Sequence, residues 1–398
     1  SDYLRRIRRH PSIGIYVGRN EGYPPVAIDR ALRQYVDSLH PGMAYIPSSS
    51  DEGVSGHGPY RLIPVREYFG KQSHKLHSER GLPNIPSYES MCRMLSPDDL
   101  WPIGLGWAQH DFTQQGAQRG SAFVKMLTDR FGEPGSARQF TALAQWLNYD
   151  GYRAMYEASQ QERQGLLIWM SHPCWPSTVW QTYDYYLEPT AAYFGVRKAC
   201  EPLHIMYNPR VGQVQVVNMS RGPQCDMEAR MEIRDMYGHT VLADSAWIDT
   251  YSDVTESVMP VAVPDSLSLW YLHLSLYDRG HLVSDNFYVQ GRRDTDFQAL
   301  NRLPQVQLQT RQQIKRRGRG YRGTVTVTNP SATPVLMIRL NLKGDDGEQI
   351  LPVFYSDNYF ALMPGESRDV EVSFSEEDTR GTQPRVEVSA FNATGTAQ

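Results

Sequence analysis

Two glutamates sit where strand ends could bring them together. Glu21 follows Asn20 after the apolar run Ile13-Gly14-Ile15-Tyr16-Val17, and Glu79 follows Ser78 after Lys75-Leu76-His77. When strands of a parallel sheet alternate with helices, their C-terminal ends open onto one mouth. Two carboxyl groups about 5–5.5 Å apart at such a mouth suit displacement at an acetal carbon with retention. One carboxylate attacks while ionised. The other gives a proton to the leaving oxygen and then activates water, and burial beside a negative neighbour would raise its pKa for that task. Asn-Glu and Ser-Glu dipeptides are common on surfaces, so the surrounding residues must decide.

The elements around them read as a mixed unit followed by strands. Ile13–Val17 is expected to be a buried strand, Val26–Leu39 a helix, and Ala44-Tyr45-Ile46-Pro47 a strand before a Ser/Gly-rich loop. Helical patterns cover about Thr113–Phe131 and Ala137–Gln161, then Gly165–Met170 reads as a buried strand and Tyr193–Ala199 as a closing helix. Strand, loop and helix in alternation point to a (β/α) barrel or a doubly wound sheet. From about residue 203 the pattern changes to period-two alternation, as in Val214–Met219, Ala229–Ile233 and Leu267–Leu272. It runs to about residue 293 as one β-sandwich. A second all-β pattern starts near Leu303 and carries Thr324–Pro330, Val335–Leu340 and Val386-Glu387-Val388. The reading is α/β plus all-β, with domains at 1–204, 205–296 and 297–398.

Composition narrows the class. With 398 residues, 40% hydrophobic and 21% charged, the chain can bury two or three cores. A net charge of −4 gives no whole-chain field toward nucleic acid. No run of 18 apolar residues suggests a membrane helix. The four cysteines, Cys92, Cys174, Cys200 and Cys225, form no C-x-x-C pair and are expected to be mostly buried free thiols. His172 and Cys174 lack a third ligand for a metal. Neither a metal nor a cofactor is expected. Lys315-Arg316-Arg317-Gly318-Arg319 reads as a solvated turn, Asp51 and Glu52 as solvent-facing loop residues, and Glu67 and Glu89 as surface charges. The 24 Tyr and 8 Trp fit either sugar stacking or aromatic-rich cores.

Several segments together resemble glycoside hydrolase family 2, in its exo-β-glucosaminidase and β-mannosidase branch. Arg9-His10-Pro11-Ser12-Ile13 and Gly18-Arg19-Asn20-Glu21-Gly22 resemble the segment carrying that family's acid/base. His77-Ser78-Glu79-Arg80-Gly81 with Ile85-Pro86-Ser87 resembles the nucleophile segment, and Gly58-Pro59-Tyr60 lies between them. Trp175-Pro176-Ser177, Trp180–Tyr186, Ala192–Gly195 and Glu201–Ile205 are similar to the branch's end of barrel and exit into the next sandwich, while Ser356–Phe360 and Leu362–Glu366 match its last domain. The resemblance implies the C-terminal part of a (β/α)₈ TIM barrel, from its fourth strand onward, then two immunoglobulin-like β-sandwiches.

It implies a retaining exo-β-glycosidase of terminal mannose- or glucosamine-type sugars, with Glu21 as acid/base and Glu79 as nucleophile. Arg80 stands where many members have an aromatic residue, and Gly18-Arg19-Asn20-Glu21-Gly22 departs from the mannosidase pattern. A β-galactosidase and a non-catalytic carbohydrate-binding protein therefore stay open. By the same resemblance Asn20 would bond the sugar 2-OH, Tyr60 would bond the nucleophile or pack, and Trp169 or Trp175 would floor the sugar site or pack in the core. His57 and His110 would reach the mouth or stay solvated. The chain opens on Ser1 and lacks the early barrel strands, so its expected partners are an oligosaccharide or polysaccharide and an N-terminal portion of the same protein. Periplasm or secretion is expected ahead of cytoplasm.

Overall fold

The computed structural model describes residues 1–70, 74–113, 120–161, 165–220 and 222–393. A short helix α1 (Asp2–Ile7) precedes β1 (Ile15–Arg19), α2 (Val26–Leu39) and β2 (Ala44–Ser48). Tyr23-Pro24-Pro25 brings the chain to α2 in extended form, which the residue before a proline favours. β1 and β2 pair in parallel, with Ile15 opposite Ala44 and Arg19 opposite Ser48. A second parallel sheet follows in the order β3 (Val54–Ser55), β4 (Leu76–Arg80), β5 (Leu166–Ile168). Between its strands lie α3 (Val65–Tyr68), α4 (Tyr88–Met94), α5 (Pro97–Leu100), α6 (Leu105–Gln109), α7 (Gly120–Phe131) and α8 (Ala137–Ser159). α9 (Ala191–Ala199) closes the unit.

β4 is buried, as expected, but β1 and β5 are not. Ile15, Val17 and Leu167 are 41%, 47% and 54% exposed. An apolar run in a parallel strand reports a site built to be covered on both faces. Among the described residues β1 pairs only with β2, and β5 is a sheet edge, so the cover is incomplete. The expected helix from Thr113 begins at Gly120 instead, and residues 114–119 lie outside the described residues. The four cysteines are free, as expected, but exposed rather than buried.

α8 holds the molecule together. Ser136 caps it, its Oγ accepting from the Gln139 amide at 3.3 Å. Apolar residues occur around its whole circumference, and such a helix must be enclosed. Phe140, Leu143, Ala144, Trp146 and Leu147 pack into one core with Ile85, Trp107 and Phe123, and also with Leu269, Tyr271, Leu300, Leu336 and Met363 from the C-terminal half. Each such side chain contributes roughly 1.5–3 kcal/mol when fully buried.

The C-terminal half is antiparallel. Sheet β10-β7-β6 is built from β6 (Leu203–Asn208), β7 (Gln213–Asn218) and β10 (Val254–Pro260). It faces sheet β12-β11-β8-β9, from β8 (Gln224–Arg234), β9 (Thr240–Thr250), β11 (Leu269–Asp278) and β12 (His281–Gly291). Met227, Ala229, Met231 and Ile233 alternate inward on β8 and meet Val214, Val216, Leu272 and Leu274. A 3₁₀ segment at Asp294–Arg302 leads to the last unit. There, sheet β13-β14-β18-β16 packs on β17-β15-β19, from β13 (Gln309–Arg317), β14 (Gly320–Thr328), β15 (Val335–Lys343), β16 (Val353–Tyr355), β17 (Phe360–Leu362), β18 (Ser367–Ser375) and β19 (Arg385–Ser389). Val325, Val327, Val370 and Val372 fill its core against Ile338, Leu340, Leu342 and Val386. The basic run forms the β13–β14 turn around Gly318, whose φ is +62°. No helix among the described residues is long and apolar enough to cross a membrane.

Candidate active site

Glu21 stands on the turn that ends β1, with φ at +50°. Its amide donates to Ser49 Oγ at 2.8 Å, and that hydroxyl donates to Asn20 Oδ1 at 3.2 Å. Ser49 follows β2, and its own amide bonds the Arg19 carbonyl at 3.0 Å. One serine thus fixes the Asn20-Glu21 turn against the neighbouring strand. The Ser78 hydroxyl donates to the Ser49 carbonyl, which ties β4 to the same point. Gly56 lies where these segments cross: a Cβ there would come within 2.8 Å of the Ser49 carbonyl and 2.9 Å of Ser78 Oγ. Ser49 carried no sequence signal beyond its Ser/Gly-rich loop.

Glu79 is 6% exposed on β4. The Tyr60 hydroxyl contacts Glu79 Oε1 and lies 3.2 Å from Glu21 Oε1. A phenol has one proton, so it donates to one carboxylate, the nearer Glu79, and accepts from the other when that one is protonated. Burial pushes the Glu79 carboxyl above its usual range, the Tyr60 hydrogen bond pulls it back, and the nearness of Glu21 raises it again. From sequence the upward push was expected on the acid/base; the structure places one on Glu79. Burial and both carboxylates raise the Tyr60 phenol well above its ordinary value, which keeps it a donor. His57, also left-handed at φ +70°, sets Nδ1 3.5 Å from Glu21 Oε1.

The structure therefore gathers Asn20, Glu21, His57, Tyr60 and Glu79. Trp180 supports Tyr60, ring to ring at 4.8 Å, and sequence reading gave it no role in the site. Trp169 follows β5 directly and is 41% exposed; its amide bonds the Arg80 carbonyl at 3.0 Å. Its carbonyl lies so close to Gly81 that a Cβ there would stand 2.1 Å away. His110 and Trp175 form a separate pair, stacked at 5.5 Å with 21° between ring planes.

Glu89 is not a surface charge. It lies half-buried against Arg339, Oε2 to Nη1 at 2.9 Å, in a cluster with Glu188 and Lys343. Asp51 accepts from the Tyr23 hydroxyl and sits 3.9 Å from Lys75. Among the described residues no three His, Cys, Asp or Glu side chains gather as metal ligands would. The arrangement offers two carboxyl groups on one hydroxyl, suited to an attack and a proton transfer at one bond.

Comparison with known proteins follows the same line. The exo-β-D-glucosaminidase Ig-fold domain family matches residues 286–393. The exo-β-D-glucosaminidase of Streptomyces avermitilis is 28% identical over 97% of this chain and 48% of its own, and that of Arthroderma benhamiae 27% over 98% and 48%. The mannosylglycoprotein endo-β-mannosidase of Lilium longiflorum is 23% identical over 98% and 53%. Among solved structures, the Amycolatopsis orientalis exo-chitosanase CsxA superposes with a TM-score of 0.91 at 23% identity, covering 99% of this chain and 52% of that one. The β-D-mannosidase of Dictyoglomus thermophilum gives 0.77 at 18%, covering 99% and 50%. The chain spans about half the length of these relatives. The resemblance drawn from its motifs holds along nearly all of it.

Proposed function

We propose that this chain is the catalytic C-terminal portion of a retaining exo-β-glycosidase, acting on terminal β-linked sugars of glucosamine or mannose type. The observation that carries the reading is the convergence of Glu21 and Glu79 on the Tyr60 hydroxyl. In this reading Glu79 attacks the anomeric carbon and Glu21 protonates the departing oxygen. Glu21 then takes a proton from the water that releases the glycosyl-enzyme. Tyr60 holds Glu79 ionised and aimed. Asn20, pinned by Ser49, faces the 2-substituent of the sugar, and Trp169 floors it. The exo-β-D-glucosaminidases among the relatives favour glucosamine over mannose.

Residues 1–204 then form the later strands of a (β/α)₈ barrel, and 205–296 and 297–398 form two immunoglobulin-like sandwiches. The exposed edges at β1 and β5 are where an N-terminal portion of the same protein adds the remaining strands. The test is a panel of nitrophenyl β-glycosides given to the full-length protein, with Glu79→Gln beside it. Turnover of the glucosaminide or mannoside, lost in Glu79→Gln, supports the reading. No turnover of any glycoside, or full activity in the variant, overturns it.

A further inference from the structure

The outward face of sheet β13-β14-β18-β16 carries a row of side chains set by register. Lys315 lies opposite Arg322, Arg322 opposite Ser373, and Ser373 opposite Phe354. Neighbouring strands are about 4.8 Å apart, so Phe354 stands two steps from Arg322 and three from Lys315. The residues that alternate with them, Ile314, Tyr321, Val353, Tyr355 and Val372, pack on the core, which turns the row to solvent. Lys315, Arg322 and Phe354 are exposed, the ring by 64%. Arg317, two residues beyond Lys315, is exposed as well.

Other charged strands neutralise themselves. On β8, Arg230 and Arg234 pair with Glu228 and Glu232, and on β13 itself Arg316 pairs with Glu376. Lys315, Arg317 and Arg322 enter no ion pair among the described residues. Like charges directly opposite each other destabilise a sheet, and Lys315 faces Arg322 in that way. The whole chain is acidic, with a net charge of −4, so this gathering of cations is local. With Arg197 of α9 the three line an open groove of about 910 Å³, and Glu371 is the one carboxylate among its described lining residues. Arg197 is held in place, Nη1 donating to the Tyr355 carbonyl at 2.7 Å. Thr324, Ser356 and Ser373 add hydroxyls to the same groove.

We propose that this groove is a docking surface for a linear acidic polysaccharide, one whose sugars carry carboxylates. Carboxylates along the chain meet Lys315, Arg317, Arg322 and Arg197 and relieve the repulsion between the opposed cations. Phe354 offers its flat ring to the apolar C–H face of one pyranose, and the hydroxyls meet sugar OH groups. A nucleic-acid strand would call for successive exposed rings to stack successive bases, and the row presents one. The groove has room for an extended chain rather than a single ion. The inference does not depend on the glycosidase reading, since none of these residues belongs to the carboxylate pair.

The test is titration calorimetry of the full-length protein with oligomers of polygalacturonate, with neutral dextran, and with a single-stranded oligonucleotide of matched charge, at two salt concentrations. The wild type should bind polygalacturonate, more weakly as salt rises, and should ignore dextran. The double variant Lys315→Gln, Arg322→Gln should bind it about tenfold more weakly and with a flatter salt dependence, as the loss of two exposed ion pairs would give. Its Tm should be no lower than that of the wild type, because a like-charge contact has been removed. Phe354→Ala should bind about fivefold more weakly with the salt dependence of the wild type, since the ring carries no charge. A wild type that does not bind polygalacturonate, or variants that bind it as the wild type does, overturn the inference. A lower Tm in the double variant overturns it too, because the two cations then serve the sheet. So does an oligonucleotide that binds more tightly than polygalacturonate and loses affinity in both variants, since the face then belongs to nucleic acid.

Discussion

Replacing Tyr60 by Phe removes the one hydroxyl that both carboxylates share and leaves the ring against Trp180. Glu79 is buried, and burial alone raises its carboxyl; the Tyr60 hydrogen bond is what favours the ionised form. A hydrogen bond to a charged group contributes roughly 1.5–3 kcal/mol. One pKa unit corresponds to about 1.4 kcal/mol, so its loss could raise Glu79 by about one to two units. Screening at an open mouth cuts this toward about one unit. As the proposed nucleophile, Glu79 would attack only as the anion, so activity would be present above its pKa and lost as pH falls through it. The acid limb of kcat/KM should therefore move up by about one unit in Tyr60→Phe. The assay is a pH profile of the full-length variant on a nitrophenyl glycoside, where the good leaving group makes protonation unimportant. An acid limb that stays in place or moves to lower pH would refute the role of Tyr60. So would an unchanged profile with a collapsed plateau, which would mean that the hydroxyl acts on substrate instead.

Glu21→Gln should spare substrates with a good leaving group, and added azide should restore their turnover by replacing base-activated water; failure of azide alongside slow hydrolysis of every glycoside would contradict the acid/base assignment. Arg339→Met should destabilise the fold by roughly 3–5 kcal/mol in denaturant titration, because Glu89 and Glu188 lose the guanidinium they share. Burial would raise Glu89, but the Arg339 charge overrides it and holds the carboxyl at about 2. Its contribution is present above the usual glutamate range and lost as pH falls toward 2, so acid unfolding should start at higher pH in the variant; an unchanged acid midpoint would discount the pair. His204 lies fully buried between Glu157 at 3.2 Å and Glu201 at 3.1 Å. Burial opposes its charge, and the two carboxylates outweigh that and raise its pKa. Its share of stability is complete below about 6.5 and is lost as pH rises through the raised value, so Tm should fall more steeply above neutrality in wild type than in His204→Gln. Asn286, Lys198 and Tyr288 face the same cluster and should be left intact in that comparison.

Periodicity made α2 and α8 legible to within two residues, since each is long and strongly patterned. The strand runs were equally visible, but burial was misjudged at β1 and β5, because an apolar run cannot say which part of a protein covers it. Glu21, Glu79 and Tyr60, which the structure brings together, were singled out through their motif neighbours. Ser49 was not, because a serine among Ser48, Ser49 and Ser50 has no pattern of its own, and its role lies in which atoms a turn brings near. Glu89 was misread for a related reason: on one short helix it looks like surface, and Arg339, which makes it interior, is 250 residues away.

The buried polar groups also show how the C-terminal sandwiches bear on the site. α8 faces the segment after Glu79 with Asn148, whose amide donates to the Pro83 carbonyl at 2.6 Å and whose Oδ1 accepts from the Ile85 amide at 3.2 Å. Tyr152 adds its hydroxyl to the Leu82 carbonyl at 3.0 Å. The next residue, Arg153, reaches the other way, to Asn286 Oδ1 at 2.9 Å and the Phe287 carbonyl at 2.7 Å on β12. Glu157 continues that contact through the Tyr288 hydroxyl at 2.7 Å. These bonds are directional and lie in a dry interior, where each partner left unpaired would cost about 1–3 kcal/mol. The helix cannot shift relative to β12 without breaking them, and the backbone beyond Glu79 cannot shift relative to the helix. The first sandwich is thus a rigid abutment for the strand that carries Glu79, which gives a physical reason for an all-β unit to follow the one that holds the carboxylate pair.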